Sequence, residues 1–213
     1  NYILFRSRRT ELRKDRMRIL GAFHDKSLEA VLVSIQNDYP GEQYSLSILA
    51  DKFVSFSKTG MGDAEEENAL IQAAVELTGP QSPSWEFIAA RFLLHSFRRA
   101  LNERMKARNI VTFSDKLSYL VSENLYGSYI TEGYTKAELD EAYSFIDDSR
   151  DNLFTYSGLD LLLKRYVIHS HQHEPLETPQ EMFLGIALHL ALPEKRNRLS
   201  WVRKFYDMLS KME

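Results

Sequence analysis

Cysteine is absent from the 213-residue chain. That absence excludes disulfide scaffolds, thiolate zinc sites and every cysteine-based catalytic mechanism within these residues. Glycine (9) and proline (6) are sparse, which argues against a loop-rich or collagen-like chain. No apolar run approaches the roughly 20 residues of a membrane span. No secretory signal pattern leads the sequence, so the expected compartment is the cytoplasm. Charge of one sign is also lacking. A net charge of −3 with 44% hydrophobic residues is too balanced and too apolar for a disordered segment. The length suits one large domain or two small ones, burying roughly 70% of the unfolded surface. Position 1 is Asn and opens directly on Tyr2-Ile3-Leu4-Phe5, which suggests a piece of a longer protein.

What is present is helical periodicity, which predicts a mainly α fold. Residues 1–18 carry Arg6, Arg8, Arg9, Arg13, Lys14, Arg16 and Arg18 against Glu11 and Asp15. This basic helix could attract phosphates; the alternative is a solvated face. Leu28, Val31, Leu32 and Ile35 repeat at helical spacing, followed by Leu46, Leu49, Ala50 and Phe53. Asp63, Glu65, Glu66 and Glu67 open a further helix, where acid residues favour the positive end of its dipole. Trp85, Ile88, Ala89, Phe92 and Phe97 begin another, running into the basic turn Arg98-Arg99. Beyond it, Leu117, Leu120 and Val121 precede a break at Gly127. Thr135-Lys136-Ala137-Glu138 reads as a capping box, and residues 154–166 as a helix bearing Leu159, Leu162 and Leu163.

One element departs from the helical pattern. Residues 165–168 and 175–178 flank a polar turn, which predicts a short β-hairpin near 165–178. Directly after it, Thr178-Pro179-Gln180-Glu181 predicts a helix starting at residue 179: an N-cap, Pro at the first position and Glu at the third. Met182, Phe183, Ile186 and Leu190 form its expected buried stripe, and the last helix carries Trp201, Phe205, Met208, Leu209 and Met212.

Residues that could carry chemistry are few. His169, His171 and His173 alternate, as three metal ligands on one strand face would, but they fall in the expected turn and no carboxylate spacing supports them. No metal site is therefore assigned. Asp147-Asp148 before Arg150-Asp151 could suggest paired carboxylates, but adjacent aspartates point in different directions from a helix end, which favours a helix-terminal charge cluster. Phosphate loops, dinucleotide fingerprints and nucleophile elbows do not occur. Arg98 and Arg99 are candidate phosphate contacts by charge, with a helix C-terminal dipole role as the alternative. No catalytic residue is assigned in this chain.

Three ordered motifs nevertheless carry a resemblance. The first is Arg150-Asp151-Asn152-Leu153-Phe154-Thr155-Tyr156-Ser157-Gly158-Leu159, continuing to Arg165-Tyr166-Val167-Ile168. Glu177-Thr178-Pro179-Gln180 before an apolar helix is the second, and Phe205-Tyr206-Asp207 ending in Leu209-Ser210 is the third. Together they resemble the N-terminal helical region of the large subunit of class I ribonucleotide reductases. Upstream, Ala89-Ala90-Arg91 resembles the helix preceding that region, and residues 1–13 resemble the closing helix of an ATP-cone. Arg13-Lys14-Asp15-Arg16 has Arg where a nucleotide-binding cone would place Gly.

The resemblance implies a division into residues 1–18, a basic helix ending an upstream cone; 19–107, a cone-like helical unit; and 108–213, the reductase all-α domain. It also implies an enzyme that reduces ribonucleoside diphosphates by thiyl-radical chemistry in an α/β barrel, for DNA replication. ATP and deoxynucleotides would act as its effectors. The implied partners are the barrel itself, a large-subunit homo-oligomer, and a small subunit whose metal cofactor generates the radical. The chain would stop about where the barrel begins, and without cysteine it would be a non-catalytic regulatory and structural part. Arg165 and Tyr166 could face the barrel mouth. The rival reading is a free-standing helical module that binds protein, or nucleic acid through its basic helix. A sequence pI near 6.1 argues against nucleic acid.

Overall fold

The computed structural model describes residues 2–24 and 26–212, with side chains from Thr10 onward. Helices make up 67% of the chain and no sheet forms among the described residues, so the fold is all-α. It divides into two compact units, Asn1–Phe97 with Phe154–Leu159, and Arg98–Leu153 with Asp160–Glu213.

In the first unit, α1 (Tyr2–Leu20) packs on α2 (Leu28–Asp38) and α3 (Leu46–Val54), and α3 packs on α4 (Asp63–Glu76). Helix α5 (Trp85–Ala107) contributes its N-terminal half. Leu32, Ile35, Leu49, Phe53, Leu70, Ala74 and Ile88 build the core. Trp85 is buried edge-on against Tyr44, with its indole N–H donating to the Gln43 carbonyl at 3.0 Å. Leu159 is fully buried, and half-buried Tyr156 packs on the same core.

Part of the basic face of α1 is paired rather than merely solvated. Arg16 donates to Gln36 at 2.6 Å, and Arg18 pairs with Asp51 at 2.5 Å. The side chains of Arg6, Arg8 and Arg9 lie outside the described residues. The acidic start of α4 also differs from a simple dipole effect. Glu65 reaches back to the Gly62 amide, whereas Glu66 and Glu67 are buried and accept hydrogen bonds from Ser57 and Ser96.

Helix α5 does not end at Arg98-Arg99 but continues to Ala107. Nothing between residues 85 and 107 is Gly or Pro, and the run is rich in strong helix formers. Both arginines therefore sit mid-helix, which removes the C-terminal dipole reading.

The second unit adds α6 (Phe113–Ser122), α7 (Tyr129–Gly133), α8 (Lys136–Tyr143), a 3-10 segment (Asp148–Leu153), most of α9 (Tyr156–Arg165), α10 (Pro179–Leu190) and α11 (Arg198–Ser210). The two capping boxes form as the sequence dictates. Thr135 accepts from the Glu138 amide while Glu138 accepts from the Thr135 amide, and Thr178 and Glu181 do the same at the start of α10.

The expected β-hairpin is a correction. Between residues 165 and 178 the chain reverses through a single antiparallel bridge, His169 to Pro175, with no strand. Two bonds cross between its arms, from the Ser170 amide to the Glu174 carbonyl and from the Leu176 amide to the Ile168 carbonyl, but the other backbone donors a longer ladder would need are used elsewhere. The Tyr166 and Val167 amides close α9 on the Leu162 carbonyl, and Glu177 takes the Ile168 amide. Ser170 accepts from the Gln172 and Glu174 amides, and Pro175 has no N–H.

The stripe of α10 is a second correction. Ile186 and Leu190 are exposed, and Leu184, Ala187 and Leu188 are buried in their place. The cap and the buried polar residues Gln180 and Glu181 fix the rotation of α10, and Tyr134 anchors its far end by donating to the Leu188 carbonyl at 2.7 Å. Helix α11 likewise buries Val202, Tyr206 and Ser210 rather than its larger apolar residues.

Candidate functional site

Four of the residues that carry the sequence resemblance, Arg150, Asp151, Gln180 and Tyr206, converge in the second unit. Arg98 from α5 donates to Asp148 and to Asp151, each at 2.7 Å. Asp151 is buried, and its other oxygen accepts from the Gln180 side-chain amide at 2.7 Å. Gln180 in turn accepts from the Tyr206 hydroxyl at 2.6 Å, and that hydroxyl accepts from the Asp147 amide at 2.9 Å. Arg150 lies over the Tyr206 ring at 5.1 Å, donates to Ser210 at 2.5 Å and pairs with Asp207 at 2.8 Å. Burial pushes the Asp151 carboxyl above its usual range, while Gln180 and Arg98 pull it back. Four segments are thus joined by one chain of polar contacts: α5, the 3-10 turn, the start of α10 and the face of α11.

A second buried cluster lies at the same end of α10. Lys116 on α6 donates to both oxygens of Glu181 at 2.7 and 2.8 Å, with both residues under a tenth exposed. The pair forms part of the lining of a cleft of about 710 Å³, whose apolar lining includes Leu101, Met105, Val111 and Phe113. Glu177 is buried nearby and accepts from the Ile168 amide at 2.8 Å. Its carboxyl is pushed up to about 7, chiefly by burial.

The remaining sequence candidates are placed as follows. Thr155 caps α9 by accepting from the Gly158 amide at 3.2 Å, and Pro179 fills the first turn of α10. Phe154 is half-buried, Arg165 is exposed and Tyr166 is 66% exposed, so the last two stand apart from the network. Arg98 is committed to two carboxylates, and Arg99 has Glu103 at 3.8 Å one turn on. His171 faces the Glu123 carbonyl at 3.1 Å, and His173 adopts a left-handed backbone.

Sequence reasoning missed the Lys116–Glu181 pair. A signal was available: Phe113, Lys116, Leu117 and Leu120 fall on one helical stripe, so a lysine there must be buried and needs a counter-charge. Chemically, the buried charged groups of this unit (Lys116, Asp151, Glu177 and Glu181) each face a partner inside it. Such an arrangement holds segments in register. Substituting Arg98→Met should cost about 2 kcal/mol at pH 7.5, because Asp151 keeps only one partner in a desolvated site. The deficit against wild type should shrink as the pH is lowered, as the already raised Asp151 takes up a proton. Urea denaturation at pH 5 and 7.5 reads both effects.

With this geometry in view, comparison with known proteins identifies the region. A family model described as "Ribonucleotide reductase, all-alpha domain" matches residues 152–213. The ribonucleoside-diphosphate reductase subunit alpha of Treponema pallidum is 48% identical over 213 residues, covering 100% of this chain and 25% of that protein. The subunit alpha of Enterobacteria phage T4 is 29% identical over 163 residues, covering 76% of this chain and 21% of its own length. The Synechocystis subunit alpha is 31% identical over 160 residues, covering 72% and 19%. The chain spans a quarter or less of the length of these relatives.

Proposed function

We propose that the chain, 48% identical over its whole length to a ribonucleoside-diphosphate reductase subunit alpha, is the N-terminal region of a subunit of that family, and serves as the regulatory and structural helical part of a ribonucleotide-reducing subunit. The observation that carries this reading is the 48% identity extending over the whole chain. The polar network adds physical support. Arg150, Asp151, Gln180 and Tyr206, drawn from all three resemblance motifs, meet in one buried lattice that fixes helix positions.

In this proposal residues 108–213 are the reductase all-α domain, 19–107 a cone-like unit, and 1–18 the closing helix of an ATP-cone. Thiyl-radical chemistry takes place on cysteines outside these residues, since none occurs here. The partners are the barrel that carries those cysteines, further copies of the large subunit, and a radical-generating small subunit with its metal. Effectors are ATP and deoxynucleotides, in a cytoplasmic enzyme. No helix among the described residues is long and apolar enough to cross a membrane.

A single-turnover assay tests the reading. The 213-residue chain, mixed with a small subunit and a ribonucleoside diphosphate, should form no deoxynucleotide. Any thiol-dependent reduction by the chain alone contradicts it.

A further inference from the structure

Helix α11 carries more apolar surface than its packing uses. Its buried face is Val202, Tyr206 and Ser210, small or polar-tipped groups bound into the network. Displaced from that face runs a second stripe at spacings of four and three, Trp201, Phe205 and Met208, and Met212 follows just past the helix end in a left-handed backbone. Trp201 is 38% exposed, Met208 57% and Met212 50%, and Phe205 is half-buried against Trp201 with ring centroids 5.9 Å apart. Scattered exposed apolar residues need no explanation. Large aromatic and methionine side chains aligned along two helical turns do, because those residue types are the ones enriched at interfaces.

The surroundings of the stripe narrow the partner. Lys204, exposed on the same helix, lies over the Trp201 ring at 4.4 Å, and Lys211 is exposed at the helix C-cap, whereas Arg203 is turned away over the Phe145 ring at 5.6 Å. Asp207, the acidic residue of this helix, is turned to Arg150. The face is therefore apolar with a cationic rim, and it suits an apolar surface bordered by carboxylates. This region makes up a quarter or less of its relatives.

We propose that the Trp201–Phe205–Met208 face of α11, with Met212 just beyond its end, is the seat on which the remaining, larger part of the same subunit docks, through an apolar patch with an acidic rim. This rests on the reading of the chain as the helical part of a longer subunit, and it deepens that reading by naming the surface.

Methionine oxidation by dilute peroxide, read residue by residue by mass spectrometry, tests it. Rates are compared between the 213-residue chain and the complete subunit, each at two protein concentrations, with and without the small subunit. Met208 and Met212 should oxidise readily in the chain alone and on the order of tenfold more slowly in the complete subunit, since oxidation follows exposure. That protection should be independent of concentration and of the small subunit. A second variant guards against misfolding. Trp201→Glu should leave the thermal midpoint of the 213-residue chain unchanged, yet restore Met208 oxidation in the complete subunit. Protection that grows with concentration would assign the face to a second copy, and protection only with the small subunit would assign it to that partner. Either result, or unprotected Met208 in the complete subunit, overturns the proposal. An active complete subunit with an accessible Met208 refutes this inference alone and leaves the functional reading intact.

Discussion

Replacing Lys116 by Met should destabilise the second unit by about 3–5 kcal/mol, the loss typical of breaking a buried ion pair from one side. Lys116 and Glu181 are 7% and 4% exposed, so the substitution strands a carboxylate in a desolvated site. The cost is raised by a second role. Glu181 Oε2 accepts from Lys116 and also from the Thr178 amide at 2.7 Å, so it cannot turn to water without uncapping α10. The double variant Lys116→Met with Glu181→Gln should recover much of the loss. Glutamine is neutral, and its carbonyl oxygen can still accept from the cap. Chemical denaturation of wild type, both single variants and the double variant gives the coupling energy. A double variant as unstable as the sum of the singles would show that the pair does not act as a unit.

Glu177 should make stability fall as pH rises. Its folded carboxyl is raised to about 7 by burial, whereas the unfolded chain titrates near 4.5. Below pH 4.5 both states hold the proton and the group contributes no difference. Between pH 4.5 and 7 the unfolded chain releases its proton first, which favours unfolding. Above 7 both states are ionised and the penalty is constant, up to about 3 kcal/mol at 1.36 kcal/mol per pH unit. Glu177→Gln keeps an oxygen for the Ile168 amide but removes the titration. The variant should therefore match wild type near pH 4.5 and exceed it at pH 8 by up to about 3 kcal/mol. Equal pH slopes for the two proteins would show that Glu177 is ionised in the fold at neutral pH.

Which parts of this architecture a reader could have drawn from the sequence follows from the range of the interactions. The caps at Thr135 and Thr178 were legible because donor and acceptor lie three residues apart and their geometry is local. The helices of the first unit were legible as well, since Leu28, Leu32 and Ile35 keep a clean helical period. The hairpin was misread because an apolar pair, a polar turn and Pro175 look alike whether or not the backbone donors are free. The stripe of α10 was misread because Gln180 and Glu181, two polar residues, set the rotation that buries Leu184 and Leu188. The polar network was half legible. The motifs supplied Arg150, Asp151, Gln180 and Tyr206, but not who touches whom. Arg98 and Asp151 are 53 residues apart, and Lys116 and Glu181 are 65 apart, distances over which no sequence period operates.

The central claim is that these 213 residues are the helical N-terminal part of a ribonucleotide-reducing subunit. A chimaera tests it most directly: this chain in place of the matching quarter of the Treponema pallidum subunit alpha, assayed for ribonucleoside-diphosphate reduction with the cognate small subunit. The account predicts reduction within about tenfold of the parent, a difference of 1.4 kcal/mol. A folded chimaera that binds the small subunit but forms no deoxynucleotide would contradict it.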